Sequence, residues 1–411
     1  MSRSEILAPL RQRNFRWFFV GETLNNAGTF MAGIALAFAV LEVDDSPSAL
    51  GYVLAAHSIP LVVFLLLGGV VADRFGRRLV IQGSNLVSGL SQAVTAALVI
   101  SGQAQLWQLI VLAGINGTVA AAGFPALMGL VPQLVDRAHL QQANVLQSMM
   151  RGGLRIVAPS VSALLVATVG PGWSLAVDAA TWFASAAVLT LVRIPRATPA
   201  APQSVVADLR EGWGIFWGTT WLWVVVLAFM GLNMLHGWWN VLGPAIAEDS
   251  FGAQGWGLIA SADAIGLLMM TLVLSRVRLE RPLMWGVLGC FAYLLPLGVL
   301  GARPEVVPLI IAAFIAGAGI EVFGLGWNLA MQEHIPEDKL SRAYSYDALG
   351  SFAAIPLGQL MVGPLAESFG ASPVLLTGFI VSIVLVLAML SSASVRGLRR
   401  VPIAEPAHGS R

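Results

Sequence analysis

Twelve apolar runs of about 20 residues, each long enough to cross a hydrocarbon core of about 30 Å, follow one another along this chain. They cover residues 15–41, 49–72, 79–100, 106–132, 143–169, 173–192, 219–243, 255–275, 283–301, 305–330, 343–365 and 372–394. A soluble core has no room for so many. Charged residues make up 11% of the chain, against about 25% in soluble domains. Lipid offers the backbone no hydrogen-bond partners, so each run has to satisfy its own amides and carbonyls as a helix. The expected fold is therefore an all-α membrane protein with twelve transmembrane helices.

Charge decides which way the helices run. With the N-terminus in the cytoplasm, twenty of the 23 Lys and Arg fall in cytoplasmic loops or tails, Arg151 and Arg155 lie inside segment 5, and only Arg303 is outside. Moving the count by one segment destroys that asymmetry, so the positive-inside rule puts both termini in the cytoplasm. The outer loops carry acids instead: Glu42, Asp44, Asp45, Glu248, Asp249 and Glu367. No Ala-x-Ala-like cleavage site follows the first run, which reads as a retained helix. The single cysteine, Cys290, excludes an internal disulfide and a Cys-based metal site. A net charge of +1 argues against a nucleic-acid partner. The preference for Arg over Lys, with abundant Ala and Gly, points to a GC-rich bacterial genome and so to a bacterial plasma (inner) membrane.

Loops are short except after the sixth run. That connection divides the chain into residues 1–194, a six-helix bundle, residues 195–218, a cytoplasmic linker, and residues 219–411, a second bundle with a cytoplasmic tail. The linker opens Pro/Ala-rich and continues, from Val205 to Trp217, as a stretch able to lie at the inner surface as an amphipathic helix. The halves repeat at an offset of about 200 residues. Leu140-Gln141-Gln142-Ala143 returns as Leu340-Ser341-Arg342-Ala343, each behind a loop proline, Pro132 and Pro336. The bundles are thus expected to be pseudo-symmetric.

Between segments 2 and 3 stands Gly69-Val70-Val71-Ala72-Asp73-Arg74-Phe75-Gly76-Arg77-Arg78. Gly69 permits close helix approach and Gly76 a turn too tight for a residue with a Cβ. Arg74, Arg77 and Arg78 hold the turn in the cytoplasm, with Asp73 buffered among them. The stretch resembles the signature of the major facilitator superfamily, G-x-x-x-D-R-x-G-R-R. Phe124-Pro125-Ala126, Leu130-Val131-Pro132, Ala143-Asn144, His334 to Arg342, Pro356-Leu357-Gly358 and Gly363-Pro364-Leu365 are similar to its multidrug, macrolide and siderophore exporter branch. Of that superfamily's Gly-rich antiporter signature in segment 5, Ala158 to Ala163 keeps only Pro159. The resemblance implies the MFS fold of two bundles, with segments 1, 4, 7 and 10 around a central cavity. It also implies that segments 2 and 11 meet at the inner face, where Asp73 would complement the segment 11 helix dipole and Asp347 would approach Arg74 or Arg77.

The cavity helices named by the resemblance supply polar and aromatic residues. Segment 1 offers Asn25 and Asn26, segment 4 Asn116, segment 7 Asn233, His236, Trp238, Trp239 and Asn240, and segment 10 Trp327 and Asn328. Trp with Asn suits a bulky amphipathic substrate better than a small sugar. Ionisable groups within a span each cost about 2.5–3.5 kcal/mol on insertion scales, so Glu22, Arg155, Asp263 and Glu321 are the proton-coupling candidates. Arg155 is expected to pair with Glu22, because both belong to the first half, leaving Glu321 as the unpaired acid and Asp263 in reserve. Asp178 and Arg151 are expected to snorkel, and Gly237 with Gly243-Pro244 to break segment 7 so that the Trp238–Trp239 pair acts as an outer gate.

No phosphate loop, nucleophile–base pair or metal-ligand set emerges, so no catalytic residue, cofactor or metal is expected, and the chain is not an enzyme. The leading reading is a monomeric secondary active transporter exporting small amphipathic molecules in exchange for protons by alternating access. The alternative within transport is an uncoupled facilitator or nutrient importer. A non-transporting membrane sensor is disfavoured by the short loops. Asp73→Asn is expected to weaken the inward-closed state and slow turnover without preventing insertion. Unchanged flux together with unchanged cysteine labelling from the inner side would refute that role.

Overall fold

The computed structural model describes residues 7–75, 77–128, 130–136, 139–192, 213–277 and 279–400. Among these residues, 12 helices are long and apolar enough to cross a membrane, and every expected run falls on one of them. In chain order they are α1 (Arg13–Val43), α2 (Pro47–Phe75), α3 (Arg77–Ile100), α4 (Leu106–Met128), α5 (Leu140–Val169), α6 (Pro171–Leu189), α7 (Thr220–Ser250) and α8 (Gly252–Leu274). The ninth span is in two pieces, α9a (Pro282–Tyr293) and α9b (Leu295–Ala302). Next come α10 (Val306–His334), an eleventh span also in two pieces, α11a (Glu337–Phe352) and α11b (Ile355–Phe369), and α12 (Ala371–Ser391).

Proline explains both divisions. Pro296 and Pro356 each stand in the first turn of the second piece, where the missing N–H costs no intrahelical bond. The expected break of segment 7 does not occur. Helix α7 runs unbroken from Thr220 to Ser250, with Pro244 inside it. Its glycines serve packing instead of a hinge. A Cβ on Gly237 would stand 2.9 Å from the carbonyl oxygen of Ile355, and one on Gly243 would enter the Trp256 ring.

An even number of spans returns the chain to the end where it began, so the termini share one end of the bundle. The far end carries the connections at residues 44–46, Gly170, Phe251, residues 303–305 and Gly370. The sequence repeat reappears in the backbone. Gly117 on α4 backs onto the His57 carbonyl of α2, and Gly317 on α10 backs onto the Asp263 carbonyl of α8 in the same way. Gly170 and Gly370, which turn the chain into α6 and α12, have φ of 94° and 87°. That conformation suits glycine and little else.

The halves meet along two seams, both in the far half of the span. On one, Gly51 of α2 faces the Gln359 carbonyl of α11b, and Gly363 faces the Ser48 backbone. On the other, α5 lies against α8: the Ser160 and Ser261 hydroxyls are 2.8 Å apart, and Ser261 also donates to the Ile156 carbonyl at 2.7 Å. Small residues let these backbones approach where lipid gives no hydrophobic drive for association. Pro159 takes part, since its carbonyl would stand 3.0 Å from a Cβ on Gly257.

Of the expected gating motif, Gly76 and the side chains of Gly69, Asp73, Arg74, Arg77 and Arg78 lie outside the described residues. So does the linker from 193 to 212. Its end, 213–218, is helical, and Trp213 and Phe216 set their rings 6.0 and 6.1 Å from Tyr346 on α11a. Gly317→Val is expected to push α10 off α8 and cost about 1–3 kcal/mol by overpacking. A lower thermal unfolding midpoint in detergent would show it, and an unchanged midpoint would refute the close approach.

Candidate transport site

A cavity of about 510 Å³ opens where α5 meets the second half, within the ~300–1,000 Å³ range of small-molecule sites. Helix α1 contributes Phe30, and α5 contributes Arg155 and Pro159. The second half supplies His236 and Trp239 from α7, Trp256 and Asp263 from α8, Tyr293 from α9a and Glu321 from α10. The division of the ninth span shapes one wall, because Tyr293, Leu294 and Pro296 all face the space. Its far end is closed by Trp239 and Trp256, whose ring centroids are 4.7 Å apart. Trp256 lies about 6 Å along α8 and Glu321 about 22 Å along α10, both measured from the far end at about 1.5 Å per residue. Glu321 therefore marks the opposite end of the cavity.

Three charged groups face this space. Arg155 Nη2 lies 3.7 Å from Asp263 Oδ2, an ion pair that joins the two halves across the α5–α8 seam. The side chains are 51% and 30% exposed, so water screens the pair and it contributes only modestly to stability. The third, Glu321, accepts a hydrogen bond from Thr271 Oγ1 at 2.8 Å. The His236 ring stacks on Tyr293, centroids 5.5 Å apart and planes 20° apart. The site thus combines aromatic faces, which accept flat apolar groups, with carboxylates that can bind a proton or a cation.

The expected pairing of Arg155 with Glu22 is not found. Glu22 is buried in α1, where Asn26 Nδ2 binds its carbonyl at 2.8 Å and its Oε2 at 3.3 Å. Arg155 lies on the seam, so its reach is toward α8. Asp178 does not snorkel either. It is fully buried between α3 and α6, with Gln92 Nε2 donating to Oδ2 at 2.6 Å.

Of the ten expected cavity residues, His236 and Trp239 line the cavity. The others hold helices together or bond within their own. Asn25 accepts from Thr29, and Asn116 reaches Ser91 at 3.4 Å. Asn233 crosses from α7 to the Ser351 carbonyl at 2.9 Å. Trp238 is buried, with its ring against Gly378 of α12. Asn240 is half-buried on α7. Trp327 donates to Asp347 Oδ2 at 2.9 Å, and Asn328 accepts from Tyr344 at 3.0 Å. Asp347 also accepts from Ser351 at 3.1 Å, and any contact with Arg74 or Arg77 lies outside the described side chains. Sequence reasoning passed over Tyr293 and read Trp256 as a membrane-belt residue. The signal for Tyr293 was Pro296 close behind it, in the middle of an apolar run.

Two helix bundles of matching build, with a polar and aromatic cavity at their junction, define the architecture of a secondary transporter. The family model of the Major Facilitator Superfamily matches residues 18–358, and the chain belongs to that superfamily, whose members are transporters and not enzymes. It is a multi-pass membrane protein. It is 28% identical to the multidrug efflux pump Tap of Mycolicibacterium fortuitum over 84% of this chain and 87% of Tap. It is 25% identical to the enterobactin exporter EntS of Escherichia coli over 96% of each. Among solved structures, a mutant of the nucleoside transporter NupG superposes with a TM-score of 0.75 at 14% identity, over 92% of this chain and 99% of that one. At that identity the likeness concerns the fold.

The α5–α8 seam can be tested directly. With Ser160→Cys and Ser261→Cys together, oxidation is expected to form a disulfide, because the two hydroxyls already touch at 2.8 Å. Cys290 is buried and should not compete. A cross-link that leaves transport at full rate would mean that the halves do not part along this seam.

Proposed function

We propose that the chain exports small amphipathic molecules in exchange for protons, exposing its cavity alternately to the two sides of a bacterial inner membrane. The observation that carries this reading is the cavity itself. It lies at the junction of the halves, has aromatic walls, and holds one ion pair that spans the junction and one carboxylate outside that pair. Its far end is covered by Trp239 and Trp256, so the opposite face is the side of entry. The basic loops put that face in the cytoplasm, which suits export, and Tap and EntS are exporters by name.

In this reading His236, Trp239, Trp256 and Tyr293 contact the substrate. Glu321 and Asp263 are the coupling acids, with Arg155 holding Asp263. Glu22, remote from the cavity, is structural. The motif from Gly69 to Arg78 and Asp347 would hold the near end shut when the far end opens, and the chain would act as a monomer.

Reconstituted vesicles with an imposed pH gradient are expected to move at least one member of a panel of amphipathic drugs and siderophores uphill. Collapse of the gradient with a protonophore should stop it. Flux that only runs downhill and ignores the gradient would replace this reading with an uncoupled facilitator.

A further inference from the structure

The cavity contains one more acid than base, and that excess has a chemical consequence. Arg155 and Asp263 neutralise each other across the seam. His236 lies flat against Tyr293 and serves the wall as a ring. The other groups near Glu321 are the buried thiol of Cys290 on α9a, the Thr271 hydroxyl on α8, and Asp347 on α11a, which is turned to Trp327 and Ser351. Among the described residues, Glu321 is therefore the cavity carboxylate with no basic side chain in ion-pair contact. A solute anion would have to take Arg155 from Asp263 and then face Glu321. A solute cation meets a carboxylate at one end and the faces of Tyr293, Trp239 and Trp256 beyond it, the surroundings that favour positive charge on a flat ring system.

Resting on the transport reading above, we propose that Glu321 is the common seat of the substrate's positive charge and of the exchanged proton, so that the transported class is the monovalent organic cation with a flat aromatic body. In the cation-loaded state the carboxylate is ionised and the ion pair is complete. When the cation leaves, a proton takes its place on a carboxylate oxygen. One positive charge goes out and one comes in, so no bond to carbon changes and the cycle moves no net charge. Exchange of a monocation is then driven by the pH gradient and is indifferent to membrane potential. A dication of the same shape, exchanged for the same single proton, carries net charge and responds to both.

Ethidium (a monocation), propidium (the corresponding dication) and dihydroethidium (the uncharged analogue) separate these cases. With the full chain in detergent, ethidium binding in weakly buffered, mildly acidic solution should release a proton, and dihydroethidium should bind more weakly and release none. Glu321→Gln should weaken ethidium binding at least about tenfold, the scale of a lost charge-assisted contact, and abolish the proton release. Glu321→Asp, which keeps the carboxylate, should restore most of both. In proteoliposomes a pH gradient should drive ethidium, a potassium–valinomycin potential alone should not, and propidium should respond to each.

Equal binding of dihydroethidium, unchanged ethidium binding by Glu321→Gln, or ethidium flux driven by potential alone would each overturn the assignment. If uncharged amphiphiles are exported on a pH gradient while ethidium is not bound, this inference fails and the transport reading stands. If nothing in the panel moves, the transport reading fails, and the proton-release measurement still decides the role of Glu321.

Discussion

Everything in this fold depends on helices approaching more closely than side chains ordinarily allow. Within lipid each helix already satisfies its own backbone, and apolar side chains gain nothing by leaving one hydrocarbon surface for another. What remains is contact between backbones, and that requires positions without a Cβ. Gly117 against His57 and Gly317 against Asp263 set the same crossing in each half. Gly51, Gly363 and Gly257 set the seams between halves. Gly317 does a second job, since the backbone it packs against is the one that carries the Asp263 carboxylate to the cavity.

The cavity is asymmetric although the scaffold is not. The α2 residue backed by Gly117 is His57, and the α8 residue backed by Gly317 is Asp263, so equivalent places in the two halves carry different chemistry. The first half supplies an arginine from α5 and one phenylalanine from α1. The second half supplies both acids and most of the aromatic wall. A repeat built for packing has been specialised for a solute on one side.

Much of this was legible in the sequence. Run length, the distribution of Arg and the motif from Gly69 onward yield the helix number, the division into halves and the superfamily, because these are properties of single segments and of their order. The titratable residues placed within the spans included the three charged groups of the cavity. Pairing was not legible, because it depends on which way each helix is turned. Arg155 was assigned to Glu22 by membership of the same half, whereas rotation of α5 directs it to Asp263. The glycines of α7 were read as a hinge, since glycine weakens an isolated helix, but here they receive the Ile355 carbonyl and the Trp256 ring. The prolines of the ninth and eleventh spans were the true interruptions. They differ from Pro244 and Pro159 in the packing around them, and a sequence shows no packing.

The α5–α8 seam has an energetic reading of its own. Its described polar contacts are two serine hydrogen bonds and one screened ion pair, joined by glycine and alanine and without interdigitated large side chains. Polar contacts between membrane helices average about 0.6 kcal/mol each, so the three together favour the closed far end by about 2 kcal/mol. That corresponds to a population ratio of roughly thirty to one. Such a ratio is a thumb on a balance, not a bolt. A solute or proton whose affinity for the two arrangements differs by two orders of magnitude would be enough to reverse it.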